Sequence, residues 1–163
     1  MKKQLTLLVT SALCALLVSC SFSTGTKADL MSGLQSSWNG LSVESIFFVD
    51  DQDESINNKQ IKWNGECSFV FQGIENFIIE DGNAFPGLNM NVTDANGNEV
   101  IDFGDMMESY AEGLPPTDAS VLRATLTVGD PMKVGETYTI NARVYDKKGE
   151  GEIVSKIQVT VVE

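Results

Sequence analysis

Residues 138–161 read YTINARVYDKKGEGEIVSKIQVTV, and their apolar side chains recur at every second place. Tyr138, Ile140, Ala142 and Val144 share one side of an extended chain; Ile157, Val159 and Val161 share one side of another. A period of two is what a strand with one buried face requires, because successive side chains point to opposite sides of the pleat. Lys147-Lys148-Gly149-Glu150-Gly151 supplies the turn between them. The stretch therefore predicts a β-hairpin with a shared apolar face, and Tyr145 falls on its outward register.

The same pattern extends towards the N-terminus. Leu122, Ala124, Leu126 and Val128 line up before Gly129-Asp130-Pro131. Leu88, Met90 and Val92 alternate with Asn89, Asn91 and Thr93, the mark of a half-buried strand. Asn96-Gly97 suits a tight turn, after which Val100 to Phe103 returns. Cys67, Phe69 and Phe71 face one way and Ser68 and Gln72 the other, while Val43 to Val49 is rich in strand formers. Two short helices are expected beside the strands. One runs from Asp29 as N-cap through Leu30, Leu34 and Trp38 at i, i+4, i+8. The other starts at Asp105 with Glu108 as a capping box, shares Met106 and Tyr110 on one face, and ends at Gly113 before Pro115-Pro116.

About seven or eight short strands with one apolar face each imply an all-β, antiparallel two-sheet sandwich or a barrel. Tyr138-x-Ile140-x-Ala142-x-Val144-x-Asp146-x-x-Gly149 followed by Ile157-x-Val159-x-Val161 is similar to the last hairpin of PKD-type and other bacterial Ig-like domains. That resemblance covers roughly the last thirty residues and implies an Ig-like β-sandwich over residues 29–163. The alternative is a lipocalin-like β-barrel, suggested by Trp38 opening a strand-rich chain; Ser36 stands where the lipocalin Gly-x-Trp has its glycine.

The chain begins differently. Lys2 and Lys3 precede a mostly apolar run from Leu5 to Val18, the layout of an export signal and too short for a membrane span of about 20 residues. Leu17-Val18-Ser19-Cys20 resembles the lipobox of bacterial lipoproteins. The resemblance implies that residues 1–19 are a signal peptide and that Cys20 carries a diacylglycerol and usually an N-acyl (palmitate-type) chain. Ser21 in place of Asp implies the outer membrane rather than the inner. Residues 20–28, small and polar, are expected to form a flexible tether.

Charge narrows the partners. The whole chain carries −12; loss of Lys2 and Lys3 with the signal, and of no acid, leaves −14 on the 144 residues that follow. Such a surface repels phosphate backbones, which excludes nucleic acid as an expected partner. Of the cysteines, Cys14 leaves with the signal and Cys20 is alkylated, so Cys67 has no partner and is expected in the core.

The chain has no histidine, which removes the commonest general base and the Ser-His and Cys-His pairs. No catalytic residue, cofactor or metal ligand is therefore assigned. One calcium candidate is stated for testing: Asp94, Asn96, Asn98, Asp102 and Asp105 occupy EF-hand-like positions in Asp94–Asp105, with Glu99 where the turn wants glycine. The simpler reading is an Asn-Gly hairpin that needs no ion. The acidic run Asp50, Asp51, Asp53 and Glu54 is a weaker candidate of the same kind, and Trp63 and Tyr145 are the candidate exposed aromatics. Together these features predict a membrane-anchored envelope lipoprotein acting as a non-enzymatic binding module for an envelope protein or a glycan. A hydrophobic-ligand carrier and a calcium-stabilised adhesin-like domain are the alternatives.

Overall fold

In the computed structural model, residues 23–163 are described; the expected signal peptide over 1–19 and the lipidation site Cys20 lie outside them. The hairpin is formed by β11 (Thr137–Asp146) and β12 (Glu152–Val162), paired antiparallel with Tyr138 opposite Val159 and Ile140 opposite Ile157. Both apolar rows are buried. Removing each of their isoleucine and valine side chains from water contributes about 1.5–3 kcal/mol.

This hairpin is the middle of a seven-stranded sheet. On one side β11 pairs with β8 (Pro86–Thr93), which pairs with β9 (Glu99–Asp105). On the other, β12 pairs with β2 (Gln35–Asn39), which pairs with β1 (Thr24–Ala28). The end of β12 also carries β4 (Gln60–Lys62) in parallel. A second sheet has three strands, with β5 (Glu66–Gln72) between β10 (Val121–Thr127) and β3 (Ser45–Asp50). Its inner face presents Phe48, Phe69, Phe71, Leu122, Ala124 and Leu126 to Leu88, Met90, Ile140 and Ile157 of the first sheet in one hydrophobic core. The fold is an antiparallel β-sandwich. Both sheets are open, ending at β1 and β9 and at β10 and β3, so the chain does not close into a barrel.

Three local expectations are corrected. Residues 24–28 are not tether: they form β1, the edge strand, with Gly25 opposite Trp38 and Lys27 opposite Ser36. The strand is legible only through its partner, because Thr-Gly-Thr-Lys-Ala has no apolar alternation. Residues 29–38 are not a helix. Asp29 does accept hydrogen bonds from the Met31 N–H (2.9 Å) and the Ser32 hydroxyl (2.8 Å), as an N-cap would. Gly33 then turns the chain at φ +78, Leu30 is left 94% exposed, and Gln35–Asn39 run back as β2. The expected capping box at Asp105 is instead the end of β9, followed by a 3-10 turn at Glu108–Tyr110. Past Gly113, Pro116 opens rather than blocks a helix, the single turn α1 (Pro116–Ala119), since proline at the first helical position loses no hydrogen bond. With β1, β2, β4 and the small hairpin of β6 (Ile79–Glu80) and β7 (Asn83–Ala84), the strands exceed the seven or eight expected.

Candidate binding face

The residues singled out in the sequence fare differently. Cys67 is buried at 1% exposure on the inner side of β5, and burial first, then the neighbouring Glu66 charge, pushes its thiol up to about 12. Only a thiolate attacks or alkylates readily. Iodoacetamide at about pH 8, below that value, is therefore expected to leave Cys67 unmodified in the folded protein and to label it once urea unfolds the chain. Prompt stoichiometric labelling of the native protein would contradict this burial.

The calcium candidates do not converge. Asp94 accepts from the backbone N–H groups of Asn96 (2.8 Å) and Asn98 (2.9 Å) and from the Asn98 side chain (2.9 Å), which closes the loop on itself. Gly97, at φ +84, is the one residue of Asp94–Asn98 with positive φ. Asp102 sits opposite Asn91 on β9 and accepts from Gly104 N–H. Asp105 binds Lys147 Nζ at 2.7 Å and accepts from Leu88 and Met107 N–H. Partial burial pushes the Asp105 carboxyl up, but Lys147 and these two amides outweigh it and hold it below the ordinary carboxylate value. In the acidic loop, Asp50 accepts from Gln52 and Glu54 N–H, and Asp53 pairs with Arg123. Among the described residues no three acidic or cysteine side chains are grouped as a metal site. Trp63 packs against the core rather than standing out from it.

Tyr145 leads to a different surface. The alternation that buries Ile140, Ala142 and Val144 turns Thr139, Asn141, Arg143 and Tyr145 to the outer side of β11. The registers extend this into rows across the sheet. One row is Asn39, Glu152, Tyr145 and Gly87. The next is Ser37, Val154, Arg143, Asn89 and Asp105, and the third is Gln35, Lys156, Asn141, Asn91 and Asp102. Within the central strands β2, β12, β11 and β8 the outward charges are Glu152, Arg143 and Lys156. The first two are paired at 2.8 Å, which leaves one net positive charge on a chain of −12. At its β9 edge the face adds the carboxylates Glu99, Asp102 and Asp105, the last paired with Lys147, and the other polar groups of the central strands are amides and hydroxyls.

Tyr145 lies flat on the backbone of Gly87, where an added Cβ would come within 2.1 Å of the ring. The Arg143 guanidinium lies 4.7 Å from the ring centroid. Tyr145, a candidate exposed aromatic, is thus half-buried between Gly87 and Arg143. Grooves indent the face on both sides of Val154. One of about 430 Å³ is lined by Asn89, Asn91, Asn141, Arg143, Glu99 and Asp102; the other, also about 430 Å³, by Thr26, Lys27, Gln35, Ser37 and Lys156. Asn91 donates to Glu99 at 2.7 Å. In the first groove the side-chain oxygen of Asn89 is buried without a hydrogen-bond partner in the protein. Buried polar atoms are otherwise paired as a rule, so this one is an unmet acceptor.

A larger groove of about 490 Å³ lies beside the acidic loop. Asp50 on its wall is already engaged within that loop.

Sequence reading did not find Asn89, Asn91, Asn141 or Lys156 as a group. Their only signal was polarity between apolar neighbours, which every half-buried strand has.

No protein-family model matches the chain, and no curated protein matches it in sequence. Among solved structures, the chain is similar to the C-terminal domain of Wzt, with 8% identity and a TM-score of 0.48 over 88% of this chain and 80% of that one. It is also similar to a lytic polysaccharide monooxygenase of Jonesia denitrificans, with 18% identity and a TM-score of 0.36 over 69% of this chain and 62% of that one. At these values no residue role passes from either protein to this chain.

Proposed function

We propose that this chain is a non-enzymatic binding module of the cell envelope, exported by residues 1–19, held to the outer membrane by lipid on Cys20, and meeting its partner with the outer face of the seven-stranded sheet. The observation that carries the reading is that face: broad, grooved, nearly free of net charge on a strongly acidic chain, and containing the unmet acceptor of Asn89. The absence of histidine and the burial of Cys67 support a binding rather than a catalytic role. The lipobox-like Leu17–Cys20 supports the location, and no helix among the described residues is long and apolar enough to cross a membrane.

A photo-crosslinking residue placed at Asn141 in cells tests the face. An adduct is expected there and none from the same residue at Thr127, which is exposed on the opposite sheet. No adduct at position 141, or equal adducts at both, would overturn the assignment.

A further inference from the structure

Resting on the binding-module reading, we infer that the face takes an extended, uncharged polysaccharide, laid across the strands from the Asn89 groove over Val154 to the Ser37 groove. Three observations on the face itself select this ligand class. First, its polar groups are mostly amides, which offer a donor and an acceptor side by side, and hydroxyls, which do both. Sugar hydroxyls need both from the same surface, whereas phosphate or carboxylate groups would need donors and cations alone. Second, its charges nearly cancel. Glu152 holds Arg143, and the other charges lining the grooves are Lys156 and Lys27 towards β1 and Glu99 and Asp102 towards β9, no surplus of cations for a polyanion that the acidic remainder would repel. Third, a protein partner is held chiefly by desolvated aromatic and apolar anchors. Here Val154 is the apolar residue at the centre, and the Tyr145 ring is taken up by Gly87 and Arg143.

The two grooves flank Val154, which lines both, so an extended chain laid over it enters both. From β9 to β1 it crosses five strand spacings, roughly 24 Å, which is the length of a chain segment rather than of one sugar. Val154, half-buried and flanked by amides, suits the apolar C–H side of a pyranose ring. The Asn89 side chain, its oxygen buried, forms part of the floor of that groove, and the half-exposed amide of Asn141 beside it is the group a sugar hydroxyl meets.

Affinity electrophoresis of the full-length protein in nonionic detergent tests this, with dextran, mannan, galactomannan and xylan as uncharged probes and alginate as the charged one. Retardation by at least one uncharged polysaccharide is expected, and none by alginate. Raising salt from about 50 to about 500 mM should leave the retardation unchanged, as it would not for an ionic contact. Asn141→Ala should weaken binding on the order of tenfold, the equivalent of one well-made hydrogen bond, while Thr127→Ala does not.

Retardation by none of the uncharged probes overturns the inference, as does equal binding by the Asn141→Ala protein. A protease-digestible crosslink at position 141 without retardation leaves the module reading standing and replaces the polysaccharide by a protein. Loss of both crosslink and retardation removes the two together.

Discussion

Cys20→Ser is expected to abolish incorporation of labelled fatty acid into the protein, whereas Cys14→Ser leaves it intact. The serine hydroxyl has the shape of the thiol but cannot form the thioether through which a lipobox cysteine takes its diacylglycerol. The consequence is large because anchoring is a sum over chains. Each buried methylene contributes about 0.8 kcal/mol, one acyl chain holds only reversibly, and two or more hold the protein for practical purposes permanently. A lipid on Cys20 would be a close anchor. β1 starts at Thr24, so only residues 21–23 separate Cys20 from the sheet, a reach of roughly 14 Å even when extended. The fatty-acid label is the better readout than solubility, since an unprocessed precursor keeps its apolar Leu5–Val18 segment. Label persisting in the Cys20→Ser protein, or a mature chain that does not begin at Cys20, would remove the lipoprotein reading.

The parts of the fold that the sequence made legible are those in which one strand carries its own evidence. Tyr138 to Val161 announces two faces by alternation alone, and β8 and β10 do the same. Where the information is shared between distant segments, reading fails. Gly25 and Lys27 look like tether until β2 is known to lie beside them, and β2 itself pairs with β12 more than a hundred residues on. Three apolar residues at helical spacing misled at 30–38 because Leu30 is not buried at all; Gly33 was the better guide. The candidate face suffers from the same non-locality. Gln35, Lys156, Asn141 and Asn91 come from four strands, and only the strand order sets them in one row. Tyr145 was found from its outward register, but not the glycine beneath it nor the arginine above it. Asp94 shows the converse case: a spacing that matches a calcium loop is used up by an Asx turn within five residues.

Phe69→Ala is expected to cost about 3–5 kcal/mol of folding stability, the range for removing a fully buried aromatic ring. Phe69 is 0% exposed at the centre of β5, with Phe48 at 5.0 Å and Phe71 at 6.2 Å between ring centroids. Its cross-strand neighbours explain why the loss would not be recovered by collapse. Phe48 stands opposite it on β3 and Ala124 opposite it on β10. A small residue already occupies one side, so no side chain there can swing into the vacated volume. The sheet is also narrow. β5 is the only strand that joins β3 to β10, and a cavity behind it loosens the whole layer that covers the hairpin of β11 and β12. Against a total stability of about 5–15 kcal/mol, such a loss brings the protein near the threshold of folding. Val121→Ala, at a position 52% exposed on β10, should change stability by no more than about 0.5 kcal/mol. Urea titration of the two variants checks the contrast. A midpoint for the Phe69→Ala protein close to that of the wild type would mean that the two sheets do not close on this ring. The outer face of the seven-stranded sheet, whose inner side rests on that packing, would then lose part of its basis as a preformed site.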